Sequence, residues 1–333
     1  MEVLSRPFSS PSRLPTAVAP LLVIQPTRNT MTTQEDQLRH ILFQSLSPDK
    51  STRQAAEGAL LSSRSNPGHA LAVLRVVAAS NAGGSSSGDL PVRQAAAVHF
   101  KNMVKGGWGK GVGPSSSTAN DADDDDTPKF IVPDADRELI KNNLVSLMCT
   151  VPPALQSQCS ESIALIAAVD FPRRWDNLLP DLISKFTDHN WDIVNGVLLT
   201  ANSILKRFRF VQRSDALYAD ILYVLQRIQE PLTLLFVSIT AQLDTTAHSN
   251  TASGDILGLT SRLAALRSIN RIFYSLNYQD LPEYFEDHMN EWMAGFAKLL
   301  QYTNPILVDE DEEMQPGEFG DHVCYFTCKI PLL

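Results

Sequence analysis

The sequence predicts an all-α protein in which pairs of helices stack into a solenoid. From Gln34 onward, apolar residues recur at the three- and four-residue spacing of amphipathic helices. No alternating run typical of a half-buried strand separates these segments. Taken in pairs, the helices recur at close to the ~40 to 47 residues of HEAT and armadillo repeats. Because one pair cannot bury its own apolar face, neighbouring pairs must stack on each other.

The helical period is clearest in the middle of the chain, where one apolar stripe runs from Trp175 to Phe186 and another from Val194 to Phe208. We expect Trp175 to lie in the core between helices, and Pro172 to separate two helices because it lacks an N–H group. The predicted two-helix units are 50–80, 91–150, 153–187, 191–230 and 231–275, with one further helix near 282–302.

Shifts in composition predict the boundaries of the solenoid. Residues 1–33 contain five prolines and read as a disordered extension, with an organellar transit peptide as the alternative. Residues 81–89 and 106–128 are rich in Gly, Ser or Asp and read as flexible loops. The remaining divisions are an N-terminal region at 34–130, further repeats at 131–308, and an acidic run with a non-helical tail at 309–333.

The net charge of -9 comes from two local acidic runs. Asp121 with Asp123 to Asp126, and residues 309–313, together contribute -10, which leaves +1 for the rest of the chain. No concentrated basic face is apparent, so nucleic acid is not an expected partner. Apolar stretches fall short of the ~18 residues of a membrane span, so we expect no membrane insertion. Four cysteines in a chain of this length indicate a reducing, intracellular compartment.

No pattern typical of an enzyme stands up to its structural requirements. Ser86 lies in a Gly-Ser-Ser-Ser-Gly run that matches a nucleophile elbow, but no strand precedes it, so the run reads as a linker. The run 106–111 lacks the spacing of a phosphate-binding loop. The scattered histidines and the pair Cys324 and Cys328 do not make up a zinc site. We therefore expect no catalytic residue, metal or cofactor.

Several separate blocks of sequence resemble the importin-beta family of nuclear transport receptors. The first blocks are Arg53-x-x-Ala56-Glu57-x-x-Leu60, Asn66-Pro67 and Val92–Ala96, followed by Lys101-Asn102 and Trp108. Later blocks at 170–175, 195–198, 206–209, 273–277 and 279–283 resemble one exportin of that family. The blocks occur in the same order, and the resemblance runs from about residue 36 to 313.

The resemblance implies a right-handed HEAT superhelix that binds Ran-GTP together with importin-alpha. Such a receptor re-exports importin-alpha from the nucleus to the cytoplasm, shuttles through the nuclear pore past nucleoporins, and hydrolyses nothing itself. Because residues 314–333 lack a helical stripe, a truncated form of the receptor is expected. A generic HEAT scaffold without transport activity is the alternative, and a hydrolase or transferase rests on Ser86 alone.

Four residues are candidates for contact with Ran. The family motif places Lys101 and Asn102 in the Ran-binding region. Arg137 and Lys141 are four residues apart on the next helix, so they share a face and either meet acidic groups on Ran or simply face solvent. A second basic cluster reads instead as a solvated helix end; its members are Lys206, Arg207, Arg209 and Arg213.

Overall fold

A computed structural model describes residues 31–79, 89–109, 130–246 and 254–302, and in these ranges the regular structure is helical throughout. The helices are α1 (Met31–Gln44), α2 (Lys50–Ser63), α3 (His69–Ala78), α4 (Asp89–Gly107), α5 (Asp134–Thr150), α6 (Pro153–Asp170), α7 (Leu178–Ile183), α8 (Trp191–Leu205), α9 (Asp215–Thr246), α10 (Gly254–Asn277), α11 (Glu283–Asp287) and α12 (Met289–Gln301). A 3-10 helix, Lys206–Arg209, follows α8. Over the described residues, none of the helices is both long and apolar enough to cross a bilayer.

The helices form two layers of a HEAT solenoid. Helices α4, α6, α8 and α10 pack side by side in one layer, and α1, α3, α5, α7 and α9 follow one another in the other, which α12 continues. Within a repeat, α3 pairs with α4, α5 with α6, α7 with α8 and α9 with α10. The all-α prediction is therefore confirmed. The second helix of each pair, in α4, α6, α8 and α10, has an outer side, and these outer sides form one continuous surface.

The predicted pairing of helices is wrong by one helix. The predicted units join α6 to α7 and α8 to the start of α9. In the structure α6 packs on α5 instead, and α8 packs on α7. The offset begins with the first unit, 50–80, which joins α2 to α3, and the boundary expected between 230 and 231 falls at Pro231 inside the single helix α9. Periodicity locates helices and does not identify their partners.

Local sequence sets the helix ends. Asp49 caps α2 by accepting hydrogen bonds from the Ser51 hydroxyl at 2.6 Å and the Thr52 backbone at 2.8 Å, which hold the pKa of its carboxyl below the usual range. Gly68 precedes α3 with a φ of 80°, a conformation that favours glycine, and its N–H donates to Asp136 Oδ2 at 2.8 Å.

One apolar core runs through the described ranges, from Leu38 in α1 to Tyr302 after α12. Trp175 is buried in it, as expected. At its far end Trp292 stacks between Phe236 and Phe273, with ring centroids 4.3 and 4.2 Å away. These aromatic contacts join α9, α10 and α12.

Three predicted loop boundaries need correction. Helix α1 begins at Met31, inside the predicted extension 1–33, and Asp89 is the first residue of α4. Gly106 and Gly107 close α4, and Trp108 is buried, so the predicted loop 106–128 starts too early. The indole of Trp108 anchors the end of α4 in the core. Residues 1–30, 80–88, 110–129, 247–253 and 303–333 lie outside the described residues.

Candidate partner-binding surface

The outer side of α4, α6, α8 and α10 carries the candidate site, and we call it the second-helix surface. Each of these helices is buried against its own partner and against the neighbouring repeat, which leaves one exposed stripe at helical spacing. The stripes contain Gln94, Val98, Lys101 and Lys105 on α4, Ser157, Glu161, Ala164 and Ala168 on α6, Leu199 and Ser203 on α8, and Arg267, Arg271, Tyr274 and Tyr278 on α10.

Two of the four predicted Ran contacts lie on this surface. Lys101 is partly buried, and its Nζ lies 3.5 Å from Glu161 Oε2 on the adjacent helix α6. Asn102 is exposed beside it. An ion pair this open to solvent contributes little stability, so its lysine remains available to a partner.

Arg137 faces the interior, which corrects the prediction that it shares an accessible face with Lys141. Its Nε donates to the Val132 carbonyl at 2.9 Å, and its Nη2 donates to the Gly107 carbonyl at 3.4 Å. The guanidinium also lies 5.2 Å from the ring centroid of Trp108. Arg137 thus satisfies carbonyls at the ends of the segment that joins α4 to α5.

Lys141 is also buried, so neither the solvent-facing role nor a free contact face fits it. Its ammonium donates to the Arg174 carbonyl at 2.7 Å and pairs with Glu138 Oε1 at 2.6 Å. Asp170 Oδ2 lies 3.8 Å away. A buried lysine must be paired in this way, because an isolated charge in the core is costly.

Asp170 connects these two residues to the end of α4. Its Oδ2 accepts a hydrogen bond from Trp108 Nε1 at 3.1 Å, and its Oδ1 lies 3.2 Å from Arg174 Nη2. We call Trp108, Arg137, Lys141, Asp170 and Arg174 the buried polar cluster. It holds α4, α5 and α6 together, which is a structural role for the block at 170–175.

The basic cluster after α8 is more structured than a solvated helix end. Arg207 donates to the carbonyls of Ala167 at 3.2 Å and Phe171 at 3.0 Å. Arg213, although exposed, donates from Nε to Gln279 Oε1 at 3.1 Å and from Nη2 to the Gln279 carbonyl. These bonds fasten the segment after α8 to α6 and to the end of α10, so the expectation of free solvation is wrong for both residues.

A groove of about 680 Å³ lies between α6 and α8 on the second-helix surface. Apolar side chains such as Leu165 and Leu199 line it, with Glu161 and Lys206 among its polar residues. A groove of this kind suits a segment of polypeptide. In the described ranges no group of three or more His, Cys, Asp or Glu could hold a metal ion.

Neither described cysteine is an activated nucleophile. Burial raises the pKa of the Cys149 thiol to about 11 and that of Cys159 to about 12. Both therefore stay protonated near neutral pH, whereas a reactive cysteine needs its thiolate form. The described part of the chain offers surfaces for binding proteins and shows no arranged nucleophile.

Comparisons with known proteins agree on one family. The family model for the importin-beta N-terminal domain matches residues 56–150, and the Cse1 family model matches residues 204–319. Exportin-2 of Homo sapiens is 37% identical over 276 residues, which cover 83% of this chain and 26% of that protein. Exportin-2 of Pagrus major is 36% identical over the same shares.

A solved structure is similar in both sequence and fold. It is the exportin Cse1 in its cargo-free, cytoplasmic state, at 32% sequence identity and a TM-score of 0.69. The superposition covers 84% of this chain and 27% of the solved one. The chain thus spans about a quarter of the length of these relatives.

Proposed function

The chain belongs to the importin-beta family and matches the N-terminal portion of its exportin-2 members, and on that premise we propose that it acts in nuclear export. In this role it binds Ran-GTP together with importin-alpha and returns importin-alpha from the nucleus to the cytoplasm. The bound nucleotide belongs to Ran, and the chain has no catalytic step of its own. It shuttles between nucleus and cytoplasm and contacts nucleoporins on the way.

The observation that carries the proposal is the extent of the match. Similarity to exportin-2 covers 83% of the chain, and a structural neighbour that is itself an exportin covers 84%. A generic HEAT scaffold would share the helical period without sharing sequence over so many repeats. The scaffold alternative is therefore not favoured.

The second-helix surface of the first repeats is the proposed contact with Ran. Lys101 and Asn102 are accessible there, within the part of the chain that matches the importin-beta N-terminal domain. The Lys101 ammonium would exchange its pairing with Glu161 for an acidic or carbonyl group of Ran. Arg137 and Lys141 support this surface from behind through the buried polar cluster, and we do not propose that they touch Ran.

Charge reversal tests this contact. The variant Lys101→Glu is expected to bind Ran-GTP on the order of tenfold more weakly, because one charge-assisted hydrogen bond is lost and replaced by repulsion. The measurement is the Kd for Ran-GTP in solution, with the helical circular dichroism signal as the check on folding.

The matched control is Lys185→Glu, which makes the same charge change in the turn after α7, away from the second-helix surface. Its affinity for Ran-GTP is expected to stay within about twofold of the parent chain. Equal weakening by both variants would mean that only long-range electrostatics acts, and this placement of the contact would be wrong.

A further inference from the structure

Three arginines and three aromatic residues gather where the 3-10 helix after α8 meets α10. The guanidinium carbon of Arg209 lies 5.4 Å from the ring centroid of Tyr274 and 5.8 Å from that of Phe210. Arg267 and Arg271 precede Tyr274 on successive turns of α10, and Tyr278 follows it, with the two tyrosine rings 5.6 Å apart. We call these six residues the arginine-aromatic patch.

Hydrogen bonds fix this patch in place. Gln279, just after α10, donates from Nε2 to the carbonyls of Phe208 at 2.8 Å and Val211 at 3.3 Å. Arg213 binds Gln279 in turn, at 3.1 Å between Nε and Oε1. The turn that carries Phe210 is thus held against the end of α10, so a partner would meet a surface that is already ordered.

Within the described residues, no acidic side chain pairs with the positive charges of the patch. Neither Arg209 nor Arg267 nor Arg271 forms an ion pair in the described part of the chain, and Arg209 Nε is buried without a hydrogen-bond acceptor. Burial lowers the pKa of Arg271, and the charges of Arg267 and Arg209 lower it further. Three like charges held together in this way are mutually repulsive, and an anion would relieve the repulsion.

Two of the aromatic side chains in the patch leave apolar surface in contact with water, which is unfavourable. Phe210 is 81% exposed and Tyr278 50% exposed, whereas aromatic residues of the neighbouring core such as Phe236 and Trp292 are fully buried. Exposed aromatic residues beside arginines are the composition that protein interfaces favour. The patch therefore combines sites for carboxylates with sites for apolar side chains.

We propose that the arginine-aromatic patch binds an acidic segment of a partner protein that also carries an aromatic or aliphatic residue. Arginine side chains donate two parallel hydrogen bonds to a carboxylate, and the rings of Phe210 and Tyr278 would pack against the apolar residue. A nucleic acid fits less well, because three arginines make a basic area too small to follow a phosphate backbone. The inference goes beyond the proposed receptor function, since it holds whether or not the chain binds Ran.

Fluorescence anisotropy with the full chain tests the proposal. The probe is a fluorescein-labelled peptide, Glu-Asp-Phe-Glu-Asp-Phe-Glu-Asp, and its comparators are the same peptide with Gln and Asn, a single-stranded oligodeoxynucleotide, and a peptide of residues 308–313 of this chain. Two double variants change the charge of the patch. Arg267→Glu with Arg271→Glu reverses the two charges, and Arg267→Gln with Arg271→Gln neutralises them. Arg173→Glu, an exposed arginine between α6 and α7, is the control.

We expect the parent chain and the Arg173→Glu variant to bind the acidic probe with the same Kd. In both double variants the Kd for the probe should rise by about tenfold or more. The Gln and Asn peptide should not bind. Absence of binding, or equal weakening by Arg173→Glu, would overturn the proposal. Tighter binding of the oligonucleotide, or of the peptide of residues 308–313, with the same arginine dependence would overturn it in favour of nucleic acid or of an intramolecular occupant.

Discussion

Asp170 connects three helices through one buried carboxylate. It ends α6, accepts a hydrogen bond from Trp108 at the end of α4, and lies within 3.8 Å of Lys141 on α5. Arg174 Nη2 also forms an ion pair with Asp170 Oδ1, at 3.2 Å. Removal of this carboxylate would leave the buried Trp108 N–H without an acceptor and would take away a counter-charge of Lys141 and Arg174.

We expect Asp170→Ala to lower the free energy of unfolding by on the order of 3 kcal/mol, because it removes both the acceptor of a buried N–H group and a buried counter-charge. The measurement is the midpoint of urea unfolding, with the m-value as the check on two-state behaviour. Glu161→Ala is the control, since Glu161 is exposed and its pair with Lys101 is a surface pair. A loss at Asp170 no larger than the ~0.5 kcal/mol expected at Glu161 would contradict this role.

His69 and His99 make the stability of the first repeats depend on pH. Their Nε2 atoms lie 3.5 Å apart, and Arg64 and Asp136 are the charged groups that face His69. Burial lowers the pKa of His69 and lowers that of His99 to about 4, from a usual value of 6.5. Between those values the unfolded chain binds more protons than the folded one, so stability falls as the pH falls.

Unfolding free energies at pH 7 and pH 5 measure this effect. The variant His99→Gln is expected to lose less stability than the parent chain between the two pH values, because it no longer has a buried imidazole to protonate. His189→Gln, at an exposed position, should behave like the parent. If His99→Gln and the parent chain lost equal stability, His99 would not be responsible.

Individual side chains were the hardest features to predict from the sequence. Trp175 was placed correctly in the core because it begins an apolar stripe. Arg137 and Lys141 were misplaced because a charged residue at helical spacing reads as exposed, and only tertiary hydrogen bonds reveal its burial. The available signal in the sequence was Asp170, because a carboxylate at the end of an apolar helix needs cationic partners if it is buried.

At the scale of helices, two glycines distinguish close packing from open surface. A methyl group at Gly295 on α12 would meet the Phe236 ring of α9, whose Cζ lies 2.6 Å from that position. A methyl group at Gly58 on α2 would meet nothing within 4 Å. The same substitution should therefore act in opposite directions at the two sites.

We expect Gly295→Ala to destabilise the chain by about 1 to 3 kcal/mol through overpacking, and Gly58→Ala to stabilise it by about 0.5 to 1 kcal/mol through the helix propensity of alanine. Thermal unfolding of the two variants, side by side with the parent, measures both changes. Stabilisation by Gly295→Ala would mean that α12 does not pack on α9 as described.

Helix positions were predictable, whereas helix pairing was not. The stripe from Trp175 to Phe186 corresponds to α7 with the turns on both sides of it, and the stripe from Val194 to Phe208 corresponds to α8 and the 3-10 helix that follows. Periodicity carries no information about which neighbour a helix packs on, and a proline such as Pro231 inside α9 suggests a boundary that tertiary packing overrides. The assignment of repeats therefore required the contacts between helices.

At the scale of the whole molecule, the fold and the family could be predicted from the sequence. Motifs such as Asn66-Pro67 and the block at 170–175 resembled the importin-beta family in the right order, and the comparisons support that resemblance over 83% of the chain. The arginine-aromatic patch was not accessible, because its members come from two elements that only the solenoid brings together. Its sequence signal was the basic cluster at 206–213.

Capture by Ran in its two nucleotide states tests the proposed export function most directly. Ran is immobilised after loading with GTP or with GDP, and the chain is applied with and without importin-alpha. We expect retention on Ran-GTP, an increase when importin-alpha is present, and no retention on Ran-GDP. Equal retention on the two forms, or none on either, would contradict the assignment of the chain as a nuclear export receptor.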